Sequence, residues 1–186
     1  MKTAVIAPMG TSPPVVTEFI DHFEQAGEKI SDMVLLVTEE RLVKKGAEVA
    51  RIALKLKYPK VRVHKVFLPF EDTLTTEQNL EFMRIAARVI RDEREKYGAE
   101  RIYLNVAGGR KNMCITLSLL AQMLGVEGVF HVVNRNYKEM NVNLERLRHE
   151  ISQIYEAKSE EEKIRIYKRN AERFDPLSSL LRTNTN

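Results

Sequence analysis

Short apolar segments alternate with longer amphipathic segments along most of this chain. The short segments have the length of strands, and the segments between them carry apolar residues at helical spacing. Strands separated by helices form a mostly parallel sheet, because each connection crosses back over the sheet before the next strand begins. We therefore expect an α/β fold with five or more strands and helices on both faces. The predicted strands are Thr3–Ala7, Met33–Val37, Val61–Leu68, Ile102–Val106 and Val129–Val133, and the predicted helices are Pro13–Ala26, Glu40–Lys57, Thr76–Lys96 and Lys111–Leu124.

For two of these elements, the pattern also predicts where they lie in the fold. Val61–Leu68 alternates apolar with polar residues, which indicates a strand close to an edge of the sheet. Lys111–Leu124 is apolar almost all round, which predicts a buried helix.

The pattern changes from Asn141 onward, where only helical periodicity remains. Ser159 precedes three glutamates, which is a common start of a helix. We expect residues 1–140 to form a Rossmann-like domain and residues 141–186 to form a helical extension packed on it. The apolar residues at helical spacing at the start of this extension are Leu144, Leu147, Ile151 and Ile154.

The charges of the chain argue against a partner made of long nucleic acid. The sequence has 30 basic and 26 acidic residues, with a formal net charge of +4, and the two signs are interleaved along the helices. A surface that coats a nucleic acid needs a concentrated positive field, which this distribution does not predict. A local site for a small anion remains compatible with it.

Cysteine and histidine usage also restricts the chemistry. Cys114 is the single cysteine, so an internal disulfide is excluded, and its place in an apolar helix predicts a buried structural thiol. The four histidines are scattered without ligand spacing, and we expect no metal site. The apolar run at the N-terminus is too short for a signal peptide and no segment is long enough for a membrane helix, so we expect a cytoplasmic protein without a membrane partner.

The fourth predicted strand runs directly into two glycines and two cations. Gly108 and Gly109 permit a sharp turn and a close approach to a ligand, because neither carries a Cβ. Arg110 and Lys111 then open a helix whose N-terminus already favours an anion, and Asn112 in its first turn is a further candidate ligand-binding residue. Two cations at this end of a helix destabilise it unless an anion binds. The segment predicts an anion-binding turn, with a glycine turn and solvated cations as the alternative.

A second turn of small residues follows the first predicted strand. Gly10 permits the turn, and Thr11 and Ser12 offer hydroxyl groups to a ligand. The alternative is that Ser12 only caps the helix that starts at Pro13. The carboxyl ends of parallel strands lie at one edge of a sheet, where ligands bind in such folds. We therefore expect the two turns to meet, one supplying hydroxyls and the other cations.

Together the two turns resemble those of CARF domains, the Rossmann-like sensors of cyclic oligoadenylates in type III CRISPR systems. The matching segments are Met9–Pro13, which places Ser-Pro after the first strand, and Gly108–Lys111, a Gly-Gly-x-Lys turn before an apolar helix. The likeness extends over about residues 1–135 and is strongest to the stand-alone ring nucleases. The C-terminal part lacks the Arg-x4–6-His signature of the HEPN ribonucleases often fused to this domain, which favours a small stand-alone protein.

The resemblance implies a homodimer that binds cyclic tetra-adenylate and cleaves it without a metal or a cofactor. The ribose 2′-OH would attack the neighbouring phosphate, giving linear di-adenylate that ends in a 2′,3′-cyclic phosphate. Ser12 and Lys111 would be the catalytic residues, Ser12 by orienting the ribose or phosphate and Lys111 by stabilising the phosphoryl charge. No general base is evident. The implied ligand-binding residues are Gly10, Thr11, Gly108, Gly109, Arg110 and Asn112.

Two other functions stay open at this point. The protein could bind cyclic oligoadenylate without cutting it and regulate a partner through its C-terminal helices, because the same turns serve either role. It could also be a nucleotide-using enzyme on an unrelated Rossmann-like fold. Gly108–Lys111 lacks both the spacing of a Walker loop and the third glycine of a dinucleotide-binding turn, so neither of those classes is predicted.

Overall fold

A computed structural model of the protein describes residues 1–133 and 137–174. The sheet in these residues consists of five strands, all parallel, and the strand order along the sheet is third, second, first, fourth, fifth. The predicted α/β class with a Rossmann-like parallel sheet is therefore confirmed. The strands are β1 (Thr3–Pro8), β2 (Asp32–Val37), β3 (Arg62–Phe67), β4 (Arg101–Asn105) and β5 (Gly128–Phe130).

Helices connect the strands and cover both faces of the sheet, as predicted. α1 (Pro14–Gln25) and α2 (Arg41–Lys57) pack on one face, and α3 (Thr76–Glu95) and α4 (Lys111–Leu124) pack on the other. α1 begins with proline in its first turn, and Thr75 caps α3 through a capping box with Gln78. None of the helices in the described ranges is long and apolar enough to cross a membrane.

The strand order reverses between β1 and β4, which lie side by side in the centre of the sheet. The two connections that leave these strands depart in opposite directions, which opens a crevice at their carboxyl ends. β3 lies at one edge with partly exposed residues, as its alternating sequence predicts. β5, at the other edge, is shorter than the predicted Val129–Val133, because its pairing with β4 ends where Asn105 meets Phe130.

The prediction that α4 is buried all round is wrong. One side of the helix packs on the sheet through Met113 and Leu117, but Ile115, Leu119 and Met123 are 61%, 56% and 76% exposed. These three residues are four positions apart and form a single stripe. The apolar composition correctly indicated that α4 packs on the sheet. A sheet covers only one side of a helix, so the apolar residues on the other side remain exposed. The stripe has no partner among the residues that the structure describes.

Residues 137–174 form four helices that pack on the outer side of α2. They begin at Tyr137, before the change of pattern at Asn141, so the domain boundary predicted at residue 140 falls within a helix, and the two-domain division stays a prediction. Apolar residues of α2 and of these helices form one buried cluster, which contains Ile52, Leu147, Ile154 and Phe174. The helices are α5 (Tyr137–Arg146), α6 (Arg148–Glu156), α7 (Glu160–Arg169) and α8 (Ala171–Phe174).

A buried carboxylate joins these helices to the sheet. Glu48 on α2 is almost fully buried and accepts hydrogen bonds from Arg51 at 2.9 Å and from Lys163 at 2.6 Å. Lys65 of β3 donates a third bond to it. Burial opposes ionisation of Glu48, but the hydrogen bonds from Arg51, Lys163 and Lys65 outweigh it and hold the pKa of Glu48 below its ordinary value. The charged form of Glu48 thus ties α7, α2 and β3 together.

We expect Glu48→Gln to destabilise the protein at neutral pH by about 3 kcal/mol, because it leaves partly buried cations without their counter-charge. The lowered pKa of Glu48 stabilises the fold above its ordinary value of 4.5, and this contribution is lost as the pH falls toward the folded-state pKa. Wild-type stability should therefore fall below about pH 4.5, and the variant should lose less over the same range. Denaturant unfolding at several pH values measures both effects.

Glu161→Gln, at an exposed position of α7, is the matched control. It should cost at most about 1 kcal/mol, the contribution of one first-turn glutamate to the helix start, and should keep a pH dependence close to that of wild type. An equal pH dependence in wild type and Glu48→Gln would contradict the assigned role of the buried carboxylate.

Candidate anion-binding site

The turns after β1 and β4 are packed against each other through their backbones. A Cβ added at Gly108 would lie 2.5 Å from the carbonyl oxygen of Pro8, and one added at Gly10 would lie 3.1 Å from the nitrogen of Gly109. Gly109 also has a φ of +79°, a left-handed conformation that residues with a Cβ rarely adopt. The fold itself therefore requires these glycines, and any contact with a ligand is an additional role.

Contacts with α2 and with β2 fix the position of the first turn. A Cβ added at Gly46 of α2 would lie 3.3 Å from Cγ of Pro13 and 3.6 Å from the carbonyl oxygen of Gly10. The N–H of Met9 donates to the carbonyl of Leu36 at 2.8 Å. The first turn thus has a fixed position relative to both neighbouring elements.

Asn105, the last residue of β4, fastens the second turn to α1. Its side chain is fully buried; Nδ2 donates to the carbonyl of Val15 at 3.0 Å, and Oδ1 accepts from the N–H of Ala107 at 3.0 Å. Sequence reasoning missed this residue. The amide side chain between Leu104 and Val106, inside the predicted strand, was the available signal. Because Asn105 fixes the start of the turn, the glycines that follow have a defined place.

The N-terminus of α4 has no side-chain cap. Arg110 occupies the N-cap position with an extended backbone, and no acidic residue lies in the first turn. The N–H of Met113 donates to Oδ1 of Asn112 at 2.9 Å, and the helix dipole with the remaining N–H groups at the start of α4 favours an anion at this point. Cys114, one turn further, donates a hydrogen bond through Sγ to the carbonyl of Gly108 at 3.2 Å, and burial raises the pKa of its thiol. A protonated thiol bound to the turn fits the predicted structural role and not a nucleophilic one.

The two cations of the second turn differ in their partners. Arg110 forms a two-point contact with Asp72, Nη2 to Oδ2 at 2.7 Å and Nε to Oδ1 at 2.9 Å. This internal carboxylate offsets the unfavourable cation at the helix start, and it already engages part of the guanidinium predicted to bind a phosphate. Lys111 is exposed and forms no ion pair with a residue of the described ranges. Lys111 is therefore the cation of this turn that is available to a ligand without first leaving a carboxylate.

Asn112 connects the start of α4 to the loop before α3. Its Oδ1 accepts from Oγ1 of Thr73 at 2.8 Å, and its Nδ2 donates to the carbonyl of Thr73 at 2.5 Å. The amide therefore anchors the 69–75 loop beside the second turn. The predicted contact between Asn112 and a ligand stays a prediction.

A small cleft of about 140 Å³ lies where β1, β2 and β4 end, and we call it the strand-end cleft. It brings together residues of both predicted turns with residues of two neighbouring loops. It is lined by the predicted residues Gly10, Thr11, Gly109 and Arg110, and by Thr38, Glu40, Val43 and Glu71, which sequence reasoning missed.

Three polar residues that sequence reasoning missed, Thr38, Glu40 and Glu71, add a hydroxyl and two carboxylates to the lining of this cleft. Thr38 directly follows β2, which pairs with β1, so a third strand end contributes to the site. Its Oγ1 is buried without a hydrogen-bond partner among the described residues, which costs about 1–3 kcal/mol. Glu40 and Glu71 are acceptors of hydrogen bonds and repel a phosphate, so they suit the hydroxyl or amino groups of a ligand.

Ser12 does not cap α1, so the alternative role as an N-cap is wrong. The N-cap position belongs to Pro13, and no side chain caps the helix. Ser12 and Thr11 instead line a second cleft of about 490 Å³, between the first turn and the helices α2, α5 and α6. We call it the helical cleft, and it is lined by Thr11, Ser12, Pro13, Leu42, Lys45, Gly46, Asn141, Leu144, Glu145, Arg148, Ile151 and Ser152.

The predicted site residues thus share one edge of the sheet but divide between two clefts. Thr11 lines both clefts, Ser12 lines the helical cleft, and Lys111 opens α4 beside Arg110 of the strand-end cleft. Within residues 1–133 and 137–174, no three His, Cys, Asp or Glu side chains are grouped so that they could hold a metal ion.

This geometry defines a Rossmann-like α/β protein whose central strand ends carry two packed turns, the candidate anion site. The family described as CRISPR-associated protein NE0113 matches residues 12–181, and the chain belongs to that family. The CRISPR system ring nuclease SSO2081 of Saccharolobus solfataricus is 29% identical over 155 residues, which are 81% of this chain and 82% of that protein. The resemblance to CARF-domain proteins, and above all to ring nucleases, is thereby confirmed.

A solved structure shares the fold. Csm6 of Enterococcus italicus, bound to cyclic hexa-2′-fluoro-hexa-dAMP, matches with a TM-score of 0.59 and 17% identity. The match covers 82% of this chain and 40% of the Csm6 chain, so the protein spans less than half the length of Csm6. At this identity the likeness supports the fold alone.

Proposed function

We propose that this protein is a ring nuclease, which binds cyclic tetra-adenylate and cuts it to linear di-adenylate, so ending a signal of type III CRISPR defence. The proposal rests on the contact between the two turns. It brings the hydroxyls of Thr11 and Ser12 to the same sheet edge as the uncapped helix that starts at Lys111. Such an edge suits a ligand that combines phosphates with ribose hydroxyls. The similarity to the CRISPR system ring nuclease of Saccharolobus solfataricus supports the proposal.

The proposed reaction uses a nucleophile that the ligand carries. The 2′-oxygen of a ribose forms a bond to the adjacent phosphorus, and the bond from phosphorus to the 5′-oxygen breaks. The proton lost from the 2′-OH is balanced by the proton gained at the leaving 5′-oxygen. Two such cuts of the ring give two di-adenylates, each ending in a 2′,3′-cyclic phosphate. The protein has to hold the ribose in line and stabilise the extra phosphoryl charge, and neither task requires a metal.

We assign these two tasks to different turns. Lys111, exposed and without an ion pair in the described residues, stabilises the charge that develops on the phosphoryl oxygens. Ser12, whose hydroxyl does not cap α1, orients the ribose or the scissile phosphate, with Thr11 as its neighbour. Arg110 binds a phosphate through N–H donors that its contact with Asp72 leaves free. The backbone N–H groups of the second turn complete the anion site.

We further propose that the active form is a two-fold dimer. A ring with two-fold symmetry is matched by two copies of one site around a shared axis. The exposed apolar stripe of α4 supports this arrangement, because it lies on the helix that begins with Lys111. Parallel pairing of two such stripes, with the two-fold axis along the helices, would bring both helix starts to one pocket. We also expect residues 134–137 to line that pocket; they lie largely outside the described residues.

We expect Lys111→Ala to cleave cyclic tetra-adenylate about a hundredfold more slowly than wild type, comparable to the loss of one charge-stabilising donor. Its melting temperature should stay at the wild-type value, because removal of a cation from a helix start relieves repulsion by the dipole. Single-turnover cleavage assays and thermal melting test the two statements. Lys60→Ala is the control, because Lys60 is exposed and lies just before β3, at the amino ends of the strands. Unchanged turnover in Lys111→Ala would exclude the assigned role.

We expect Leu119→Glu to convert a dimer into a monomer, since it places a charge in the centre of the proposed apolar contact. Light scattering at micromolar concentration measures the mass of wild type and variant. Leu80→Glu, which changes an equally apolar residue that is 44% exposed on α3, should remain a dimer. A wild-type protein that is monomeric both with and without ligand would contradict the dimer.

An analogue of cyclic tetra-adenylate that lacks the 2′-OH nucleophile distinguishes a ring nuclease from a sensor that only binds the ring. With EDTA present, wild-type protein should convert cyclic tetra-adenylate to di-adenylate with a 2′,3′-cyclic phosphate, detected by mass spectrometry. A ring of 2′-deoxyadenylate should bind through the same phosphate contacts but stay intact. A native ring that binds tightly and remains uncut would establish the sensor instead. Cleavage of the deoxy ring would show that water is the nucleophile and that the proposed mechanism is wrong.

A further inference from the structure

The strand-end cleft is part of a candidate anion site in which carboxylates outnumber cations. Arg110 lines the cleft and Lys111 follows it at the start of α4, so the second turn supplies two positive charges. Glu40 and Glu71 also line the cleft, and Asp72 contacts Arg110, which makes three negative charges. Sites for polyanions have the opposite balance, because each added negative charge of the ligand is offset by a further charged donor. The balance at this cleft favours a ligand of low charge.

The cleft also offers hydrogen-bond donors that carry no full charge. Thr38 lines the cleft and is 4% exposed, and its Oγ1 has no hydrogen-bond partner among the described residues. A ligand oxygen that enters the cleft would satisfy this hydroxyl, which points to a ligand independently of the charges. The start of α4 adds its remaining N–H groups and a dipole equivalent to about half a positive charge. Donors of this strength match one negative charge and not two.

The phosphates of a cyclic oligoadenylate and those of free nucleotides differ in their charge. A phosphodiester carries a single negative charge, whereas a terminal phosphate carries close to two at neutral pH, because its second pKa is about 6. Carboxylates at the cleft repel both kinds of phosphate, but they repel the terminal phosphate about twice as strongly. Charge therefore distinguishes a ring, in which every phosphate is a diester, from nucleoside mono- and triphosphates.

We propose that Glu40, Glu71 and Asp72 make the strand-end cleft select phosphodiesters over terminal phosphates. Their role is to weaken the binding of the wrong ligand, and not to strengthen the binding of the right one. Free adenine nucleotides carry the same base and ribose as the ring, so these parts cannot exclude them, but the charge of a terminal phosphate does. This inference deepens the proposed function: it rests on the binding of cyclic oligoadenylate phosphates at the two packed turns, but not on cleavage of the ring.

Glu71 has a matched control at the other end of the sheet. Glu71 is exposed and lines the cleft, so Glu71→Gln removes a charge from the cleft at little cost to stability. Glu95 is also exposed, but it is the last residue of α3 and lies near the amino ends of the strands, away from the cleft. Glu71→Gln and Glu95→Gln thus change the net charge equally, and only the first changes the cleft.

The test compares 2′-deoxyadenosine 5′-monophosphate with its methyl ester, which differ by one charge at about pH 8. With EDTA present, each displaces labelled 2′-deoxy cyclic tetra-adenylate from the full-length protein, which gives the two affinities. We expect wild type to bind the methyl ester about threefold more tightly than the monophosphate, and Glu71→Gln to lose most of this preference, because the removed repulsion acts more strongly on the doubly charged ligand. The double variant Glu40→Gln/Glu71→Gln should prefer the monophosphate. Glu95→Gln should keep the wild-type preference, since a distant exposed charge is screened.

The outcomes separate this inference from the proposed function. A wild-type protein that binds the deoxy ring but prefers the monophosphate to its methyl ester would overturn the selection by charge and leave the proposed function intact. Equal changes of preference in Glu71→Gln and Glu95→Gln would also overturn it, because the effect would then arise from the net charge. A methyl ester that fails to displace the deoxy ring would overturn it as well. A wild-type protein that binds neither the native nor the deoxy ring would overturn the proposed function and this inference together.

Discussion

The backbone contact between the two glycine turns is the constraint on which the rest of the site depends. Gly108 and Gly10 leave no room for a side chain, because each faces backbone of the other turn. β1 and β4 are neighbours in the sheet, so their ends are fixed relative to each other by the strand pairing itself. Asn105 and Gly46 then hold the turns from the two flanks. A site built in this way takes its geometry from the core of the sheet and not from the mobility of loops.

The two arginines around the site are paired with carboxylates of the chain itself, whereas Lys111 forms no ion pair with a described residue. Arg110 contacts Asp72, and Arg148 contacts Glu145, so a single acidic residue holds each guanidinium in position. Such pairs contribute little to stability where they are exposed, but they orient the donors. They also fit the proposed anion site to a protein of modest net charge: the positive field there would be local and would arise when a ligand shares donors with the internal acids.

The sequence was sufficient for the strands, the helices and the two turns, because apolar periodicity and glycine placement are local signals. It was insufficient wherever a residue acquires its role from a distant partner. Thr38 and Asp72 lie in loops whose approach to the turns depends on the strand order, which a single sequence does not encode locally. The exposed stripe of α4 was missed for a related reason. A helix that is apolar all round has two candidate partners, and the sheet accounts for only one.

The position of α2 has a consequence for the extension that packs on it. Gly46 supports the first turn, Lys45 binds α6, and Glu48 binds α7 and β3, so neighbouring positions of one helix serve the turn and the extension together. A ligand that binds the first turn only while α2 and the extension are docked would be linked to that docking, and each would stabilise the other by the same free energy. In the proposed function, the bound ring would then make local opening of these helices rarer. Cleavage of the ring would remove that stabilisation, so the helices would open more often once the signal has ended.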